Sequence, residues 1–427
     1  MTCKSSALCL FDEQEIQMDI SGSGITDFHP LNSITPNSPI EFKIPGTVEN
    51  YIDLGDLQLL VQLRIRKTDG KAWNADDQVC FVNLPISSIF QDVFLKIGDT
   101  QVEGGQHLYP YNGYLSTLLQ FHPSAKQTHL QSWGWNEDTP GKFDDAATNE
   151  GITFREAETS KGKTWEIMGP LFLDMARQPR YLLPQTNLYL KLLPAKAEFA
   201  LHATKAAKGY EYRIQKCVLY ARHINVMDAV INGHNKGLEK HNAKYFLNHI
   251  DISNFTITKD VQSFMKDGLF ATQVPKMVVI GLLDHDAFNG DISQSPFNFQ
   301  NFGLSKIALY RNGELVPGQI FTPDYDKDHF LRAYNHTMTT LNYFNTDDSN
   351  GITMEHFKDG YNLYAFDLTP DGTNEGPHRH LIRTGSLRLE LAFTKAVAKP
   401  ITVLMFSIID AKLEITKLRD VLMTYSR

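Results

Sequence analysis

Polar motifs able to bind or turn over a small molecule are few in this chain, and each lacks a neighbour its chemistry requires. Ser160-Lys-Gly-Lys-Thr164 ends like a phosphate-cradling loop, but Ala157 stands where the first glycine is needed and no apolar strand leads in, so a solvated loop is expected. Asp324-Tyr-Asp-Lys-Asp328 has the acid spacing of a calcium loop, with His329 in place of the glycine and Asn335 in place of the bidentate glutamate. Acids at a helix N-terminus are the simpler reading. His378-Arg-His380 puts two imidazoles at alternating positions with no third ligand close by in sequence, so no metal site is expected there. Asp284 and Asp286 suit acid–base work in principle, yet they close a strand ahead of an Asn289-Gly290 turn. There is no Gly-x-Ser-x-Gly elbow and no His-Glu-x-x-His helix. The expectation is a protein that is not an enzyme, with no catalytic residues, cofactor or metal.

Composition narrows the class. The chain has 427 residues, 42% hydrophobic and 21% charged, with a net charge of −8. That describes a globular protein with sizeable cores, neither disordered nor built of membrane spans. A body this acidic does not coat nucleic acid, since phosphate neutralisation needs clustered Lys and Arg. The short basic stretches Arg64–Lys67 and Lys205–Lys208 read as solvated strand ends or loops. Cys3, Cys9, Cys80 and Cys217 are scattered without metal spacing, which suits reduced thiols in an intracellular setting. The opening MTCKSSALCLFDEQE lacks the apolar core of a secretory signal, so the formal glycosylation sites Asn254 and Asn335 are expected to stay unmodified.

Strand patterns dominate. Leu57–Arg66 alternates between apolar and polar residues, as a half-buried strand does. Val93–Ile97, Leu188–Leu193, Tyr210–Tyr220, Lys276–Leu283, Ile307–Tyr310, Leu387–Phe393 and Ile401–Ile408 are further strands. Turns are expected at Pro45-Gly46, Gly98-Asp99, Asn312-Gly313 and Thr384-Gly385. Two stretches read as helical, Tyr111–Gln120 and about His329–Phe344. Many strands with few helices predict an all-β protein of sandwich or jelly-roll type, too long for one such unit.

An internal repeat supports two units. Leu95-Lys-Ile-Gly-Asp-Thr-Gln-Val-Glu-Gly104 aligns with Leu309-Tyr-Arg-Asn-Gly-Glu-Leu-Val-Pro-Gly318. At the same offset Phe90 falls on Leu304, Val93 on Ile307 and Tyr111 on Tyr325. A second echo matches Leu171–Met175 with Tyr364–Leu368, each ahead of an alternating strand. The halves also differ. All four tryptophans, Trp73, Trp133, Trp135 and Trp165, lie in the first, which also carries a polar excursion from Ser124 to Lys163 without clear periodicity.

Taken in order, these segments resemble the capsid-protein family of Polinton (Maverick) elements and adintovirus-like viruses. The resemblance is carried by Ile44-Pro-Gly-Thr47 with Tyr51-Ile-Asp-Leu54, by Leu84–Leu95, and by Tyr109-Pro-Tyr111 running into Tyr114–Leu119. Arg180-Tyr-Leu-Leu-Pro184 and Asn242-Ala-Lys-Tyr245 follow. Its most specific part is Val274–Leu283, Asp286-Ala-Phe-Asn-Gly290, Ser295-Pro-Phe-Asn-Phe299, Gly360–Pro370 and Gly385–Leu391. The resemblance spans about residues 40 to 425 and rests on no single motif.

It implies a double jelly-roll major capsid protein, three copies of which supply six jelly rolls to a pseudo-hexagonal capsomer of an icosahedral shell around double-stranded DNA. Partners would be the chain itself, then penton and minor capsid proteins, with no sequence-specific nucleic-acid contact; the location would be the virion capsid, assembled inside the host cell. The expected layout is an N-terminal arm (1–35), jelly roll 1 (36–225), a linker (226–245), jelly roll 2 (246–417) and a tail (418–427). Trp133, Trp135 and Trp165 are candidates for a capsid tower or trimer contact, against the alternative of a locally packed loop. Two other readings stay open at this point, a glycan-active enzyme on paired jelly rolls and a lectin-like binding module.

Overall fold

In the computed structural model, which describes residues 16–71, 73, 78–203, 209–270, 273–374 and 378–424, the predicted strands become two β-sandwiches. The stretch Lys205–Lys208, the thiols of Cys3 and Cys9 and the start of the expected arm lie outside the described residues. The first sandwich contains β1 (Ile20–Phe28), β2 (Ile40–Ile44), β3 (Asn50–Lys67), β4 (Val79–Phe81), β5 (Phe90–Ile97), β6 (Thr100–Glu103), β7 (Thr164–Pro170), β8 (Leu188–Pro194), β9 (Leu201–Ala203) and β10 (Tyr210–Val226). The second contains β11 (Ala243–Ile257), β12 (Ser263–Lys266), β13 (Met277–Asp284), β14 (Leu304–Arg311), β15 (Glu314–Phe321), β16 (Leu363–Asp367), β17 (Leu387–Phe393), β18 (Ile401–Ile415) and β19 (Val421–Met423).

Strand order shows the duplication directly. The first sandwich pairs a sheet β1-β10-β3-β7 with a sheet β2-β8-β5-β6. The second pairs β11-β18-β13-β16, with β19 added beside β18, with β12-β17-β14-β15. Leaving aside the small β4-β9 ribbon and β19, each strand of one half has a counterpart in the other, in the same chain order and the same sheet position. Eight antiparallel strands wound into two sheets in this way form a jelly roll. The agreement reaches single residues. The register of β5 on β8 shifts between Phe90 and Asp92, and that of β14 on β17 shifts between Leu304 and Lys306, which the sequence repeat aligns with Phe90 and Asp92. The second echo is displaced, because Leu171 follows the end of β7 whereas Tyr364 lies within β16.

Burial explains why equivalent strands read differently. In β3 the inward Leu57, Leu59, Val61, Leu63 and Ile65 are buried while Arg64 and Arg66 face out, because the outer face of its sheet is open. All of β13 is buried, as is Ile401–Ile409 of β18. Met277 and Phe406 on their sheet look towards Leu115 and Leu119 of the first-roll helix Tyr109–Gln120. A strand covered on both faces has no reason to alternate, hence Met277-Val-Val-Ile-Gly-Leu-Leu283.

Helices Tyr109–Gln120 and Leu331–Thr340 follow the two equivalent hairpins, and a third, Asp228–Leu238, occupies the link between the rolls. Ile20–Phe28, within the segment read as an arm, pairs along β10 and so belongs to the first roll. β11 opens at Ala243, ahead of the expected boundary, and β19 draws part of the tail onto β18. Backbone pairing, which residue type does not report, sets these limits.

Candidate functional site: the junction between the rolls

The rolls meet through aromatic rings contributed by both. Helix Tyr109–Gln120 starts with Pro110 in its first turn, where the missing amide costs nothing, and turns Tyr111 and Tyr114 towards the second roll. Tyr114 stacks on Phe297 at 4.1 Å and 2°. Tyr111 meets Phe297 edge-on at 5.6 Å and stacks on Phe288 at 5.6 Å. Trp135 closes the cluster against Tyr114. Rings of this size remove large apolar areas from water, so the two rolls share one continuous core.

Of the Ser124–Lys163 excursion, Lys126, Trp135, Asp138 and Phe143 are buried at this junction. The excursion's helix Glu150–Thr159 is capped by Asn149, whose side chain accepts from the amides of Gly151 and Ile152. Arg155 and Asp138 form an ion pair at 2.7 Å with side chains 3% and 1% exposed. The same guanidinium donates to the carbonyls of Phe81 and Asn136, so the buried charge is matched on several sides. Phe143 lies on Tyr361 of the second roll, whose hydroxyl donates to the Asp138 carbonyl. Lys126 is buried too, donating to the carbonyls of Leu118 and Asn350, one in each roll, and burial pulls its pKa down to about 8. Arg155 and Lys126 find their partners inside the protein rather than in water, which composition cannot distinguish.

A second polar clasp holds the other side of the junction. His249 on β11 bonds through Nδ1 to the Asp174 carboxylate at 2.6 Å, and that carboxylate also accepts from the amide of Ile250. Glu103 accepts from the amides of Asp174 and Met175. Burial, helped by the charge of Asp174, pushes Glu103 up to about 7. Burial alone would lower His249, but its bond to Asp174 and the surrounding carboxylates outweigh that and raise it. An acid, a base and an orienting carboxylate are the parts of an acid–base catalyst. The space beside them is only about 40 Å³, room for a water or two and not for a sugar ring. The group joins the rolls.

The residues singled out from sequence fall into two sets. Trp135 is 1% exposed and Trp165 7% exposed within the single chain, so neither ring is offered to a neighbouring molecule. Trp133 is half-buried between Phe121 and Phe172. Trp135, in the excursion, and Trp165, on β7, thus follow the locally packed alternative, whereas Trp133 keeps part of its surface exposed. The four turn residues lie apart from one another. Gly98, Asn312 and Gly313 have φ of 59°, 52° and 87° at the tips of hairpins β5–β6 and β14–β15. Gly46 has an ordinary φ, and a Cβ there would lie 2.3 Å from the Thr186 amide nitrogen. Asp324 accepts from the Lys327 amide at the start of a short helical turn, as acids at a helix start do. The junction residues Asp138, Arg155, Asp174 and His249 were missed, and only the oddity of charged residues near apolar runs could have pointed to them.

With this geometry the fold can be compared with solved structures. A chain of the Sputnik virophage, seen by cryo-electron microscopy, superposes with a TM-score of 0.62 at 13% identity, covering 99% of this chain and 92% of its own. The mavirus major capsid protein superposes with a TM-score of 0.58 at 12% identity, covering 98% and 93%. The chain is a double jelly-roll protein. A chain of the PBCV-1 virus capsid gives a TM-score of 0.60 at 10% identity, covering 98% and 100%, so the double jelly roll accounts for nearly the full length of both. In sequence it is 25% identical over 399 residues to an uncharacterised protein of Caenorhabditis elegans, covering 89% of this chain and 91% of the relative. No protein-family model matches it.

Proposed function

We propose that this double jelly-roll protein is the major capsid protein of a double-stranded DNA virus or virus-like element of the Polinton/Maverick and adintovirus-like kind. The observation that carries the proposal is the pair of topologically equivalent rolls joined through one buried core. Three such chains around a threefold axis present six similar sandwiches, which gives a trimer a pseudo-hexagonal outline suited to tiling a shell. The superpositions with virophage and viral capsid chains over nearly the whole length support the same reading.

Function in this reading is assembly. The junction holds the two rolls in one orientation, so the capsomer geometry is built into each chain before chains meet. Contacts between trimers are weaker than those within them, which lets misplaced capsomers leave, and multivalency makes the closed shell persist. Penton and minor capsid proteins complete it. The net charge of −8 suits a shell that encloses DNA without gripping it.

The test is the mass of the purified protein by light scattering, with negative-stain imaging of the same peak. A species near three times 48.4 kDa with pseudo-hexagonal outlines, or closed shells, is expected. A monomer at high concentration overturns the proposal.

A further inference from the structure

The loop between β16 and β17 brings together three metal-ligating side chains that sequence spacing does not link. Asp371, His378 and His380 each present one ligand atom, and these atoms all lie within 4.8 Å of one another. His378 Nε2 is 2.9 Å from one carboxylate oxygen of Asp371, and His380 Nδ1 is 3.9 Å from the other. Four-coordinate zinc, with bonds of ~2.0–2.2 Å, places its ligand atoms about 3.4 Å apart. These separations bracket that value, so small side-chain rotations would suffice.

The anchoring of the residue between the histidines explains their common direction. Arg379 points the opposite way, donates to the carbonyls of Ala411 and Leu247, and covers the Phe246 ring at 4.8 Å. The amide of His380 donates to Asp410. Side chains alternate along an extended segment, so anchoring Arg379 on the sheet turns both neighbouring imidazoles towards Asp371. The outer nitrogen of His380, Nε2, lies 3.3 Å from the Thr373 carbonyl, the kind of contact that fixes the tautomer of a metal-bound histidine. Its side chain is only 12% exposed, whereas His378 and Asp371 are 52% and 44% exposed, which leaves an approach for an ion. Hydrogen bonding from Thr373 and His378 holds the Asp371 carboxyl well below its ordinary range, in the anionic form that binds metal.

We propose that Asp371, His378 and His380 form a site for a divalent transition metal of the zinc class, with a fourth position left for water or a neighbouring group. Two imidazoles and one carboxylate suit zinc, cobalt or nickel. Magnesium and calcium, which demand six or more oxygen ligands, are poorly served. Binding replaces the His378–Asp371 hydrogen bond with two bonds to the metal.

The test uses untagged full-length protein stripped with chelator and titrated with zinc chloride, followed by calorimetry and by elemental analysis after dialysis. Cobalt substitution adds visible absorption bands that report imidazole and carboxylate coordination. One ion per chain is expected, with His380→Ala and Asp371→Asn each weakening binding by more than ~10-fold, and His378→Ala with His380→Ala abolishing it. The exposed His129→Ala is the control and retains full binding. Less than one ion per chain, or uptake unchanged in the double variant while its circular dichroism matches the parent, overturns the site.

Discussion

His249 of the second jelly roll bonds to Asp174 of the first at 2.6 Å, in a contact buried on both sides. A charge pair here does more than pack, because it links the orientation of the rolls to proton binding. His249 is raised in the folded chain, so its contribution is fully present below the ordinary histidine value of ~6.5 and is lost as pH rises through the higher folded value. Glu103 acts in the same direction. Its stabilising effect is present below the ordinary value of 4.5 and is lost as pH rises towards the folded value of about 7. The contribution of these two groups to the thermal midpoint should therefore fall as pH is raised from about 5 to 9. His249→Gln should flatten the upper part of that slope, and an unchanged slope would sink the assignment.

Arg155 is the most thoroughly bonded buried charge of the excursion, with Asp138 and two carbonyls as partners. Arg155→Met keeps much of the volume but leaves Asp138 buried without its counter-charge. Breaking a buried pair in this way costs ~3–5 kcal/mol. Denaturant unfolding of the variant should show a loss of that order, and the double variant with Asp138→Asn should recover part of it.

Gly360 is where the backbone of the second roll passes under Phe143. Its φ is +106°, and an added Cβ would lie 2.1 Å from the Phe143 ring. Gly360→Ala should destabilise by ~2–4 kcal/mol through combined strain and overlap. Phe143→Ala opens the space, so the second substitution should cost less in that background than alone. Full additivity in the double-mutant cycle would show that the two are not coupled.

The turn glycines should rank against what φ alone suggests. Gly313, at φ 87°, has nothing near its Cβ position, so Gly313→Ala should cost ~1–2 kcal/mol from conformation alone. Gly46 has the easier φ but would press on the backbone of Gln185 and Thr186, so Gly46→Ala should cost more than Gly313→Ala. Equal losses in thermal unfolding would contradict this ordering.

Sequence reading was strongest where a strand sees only its own sheet. The alternation of Leu57–Arg66 and the Asn312-Gly313 turn are local, and both appear where expected. The helix after each equivalent hairpin was legible from the repeat, to within a few residues at its ends. Reading was weakest from Ser124 to Lys163, where buried and exposed polar residues share one composition. The group Asp371, His378 and His380 shows the same limit, because the spacing of these residues along the chain does not report that their ligand atoms meet.

The sequence by itself determined the class of fold and its duplication, because side-chain alternation, turn preference and a constant-offset repeat are properties of neighbours along the chain. Only the tertiary structure decided what the charged and aromatic residues do. Asp138 with Arg155, Asp174 with His249 and Phe143 with Tyr361 become partners when packing excludes water and each polar group must find its match inside. That requirement arises from the burial of one roll against the other, which no local pattern records.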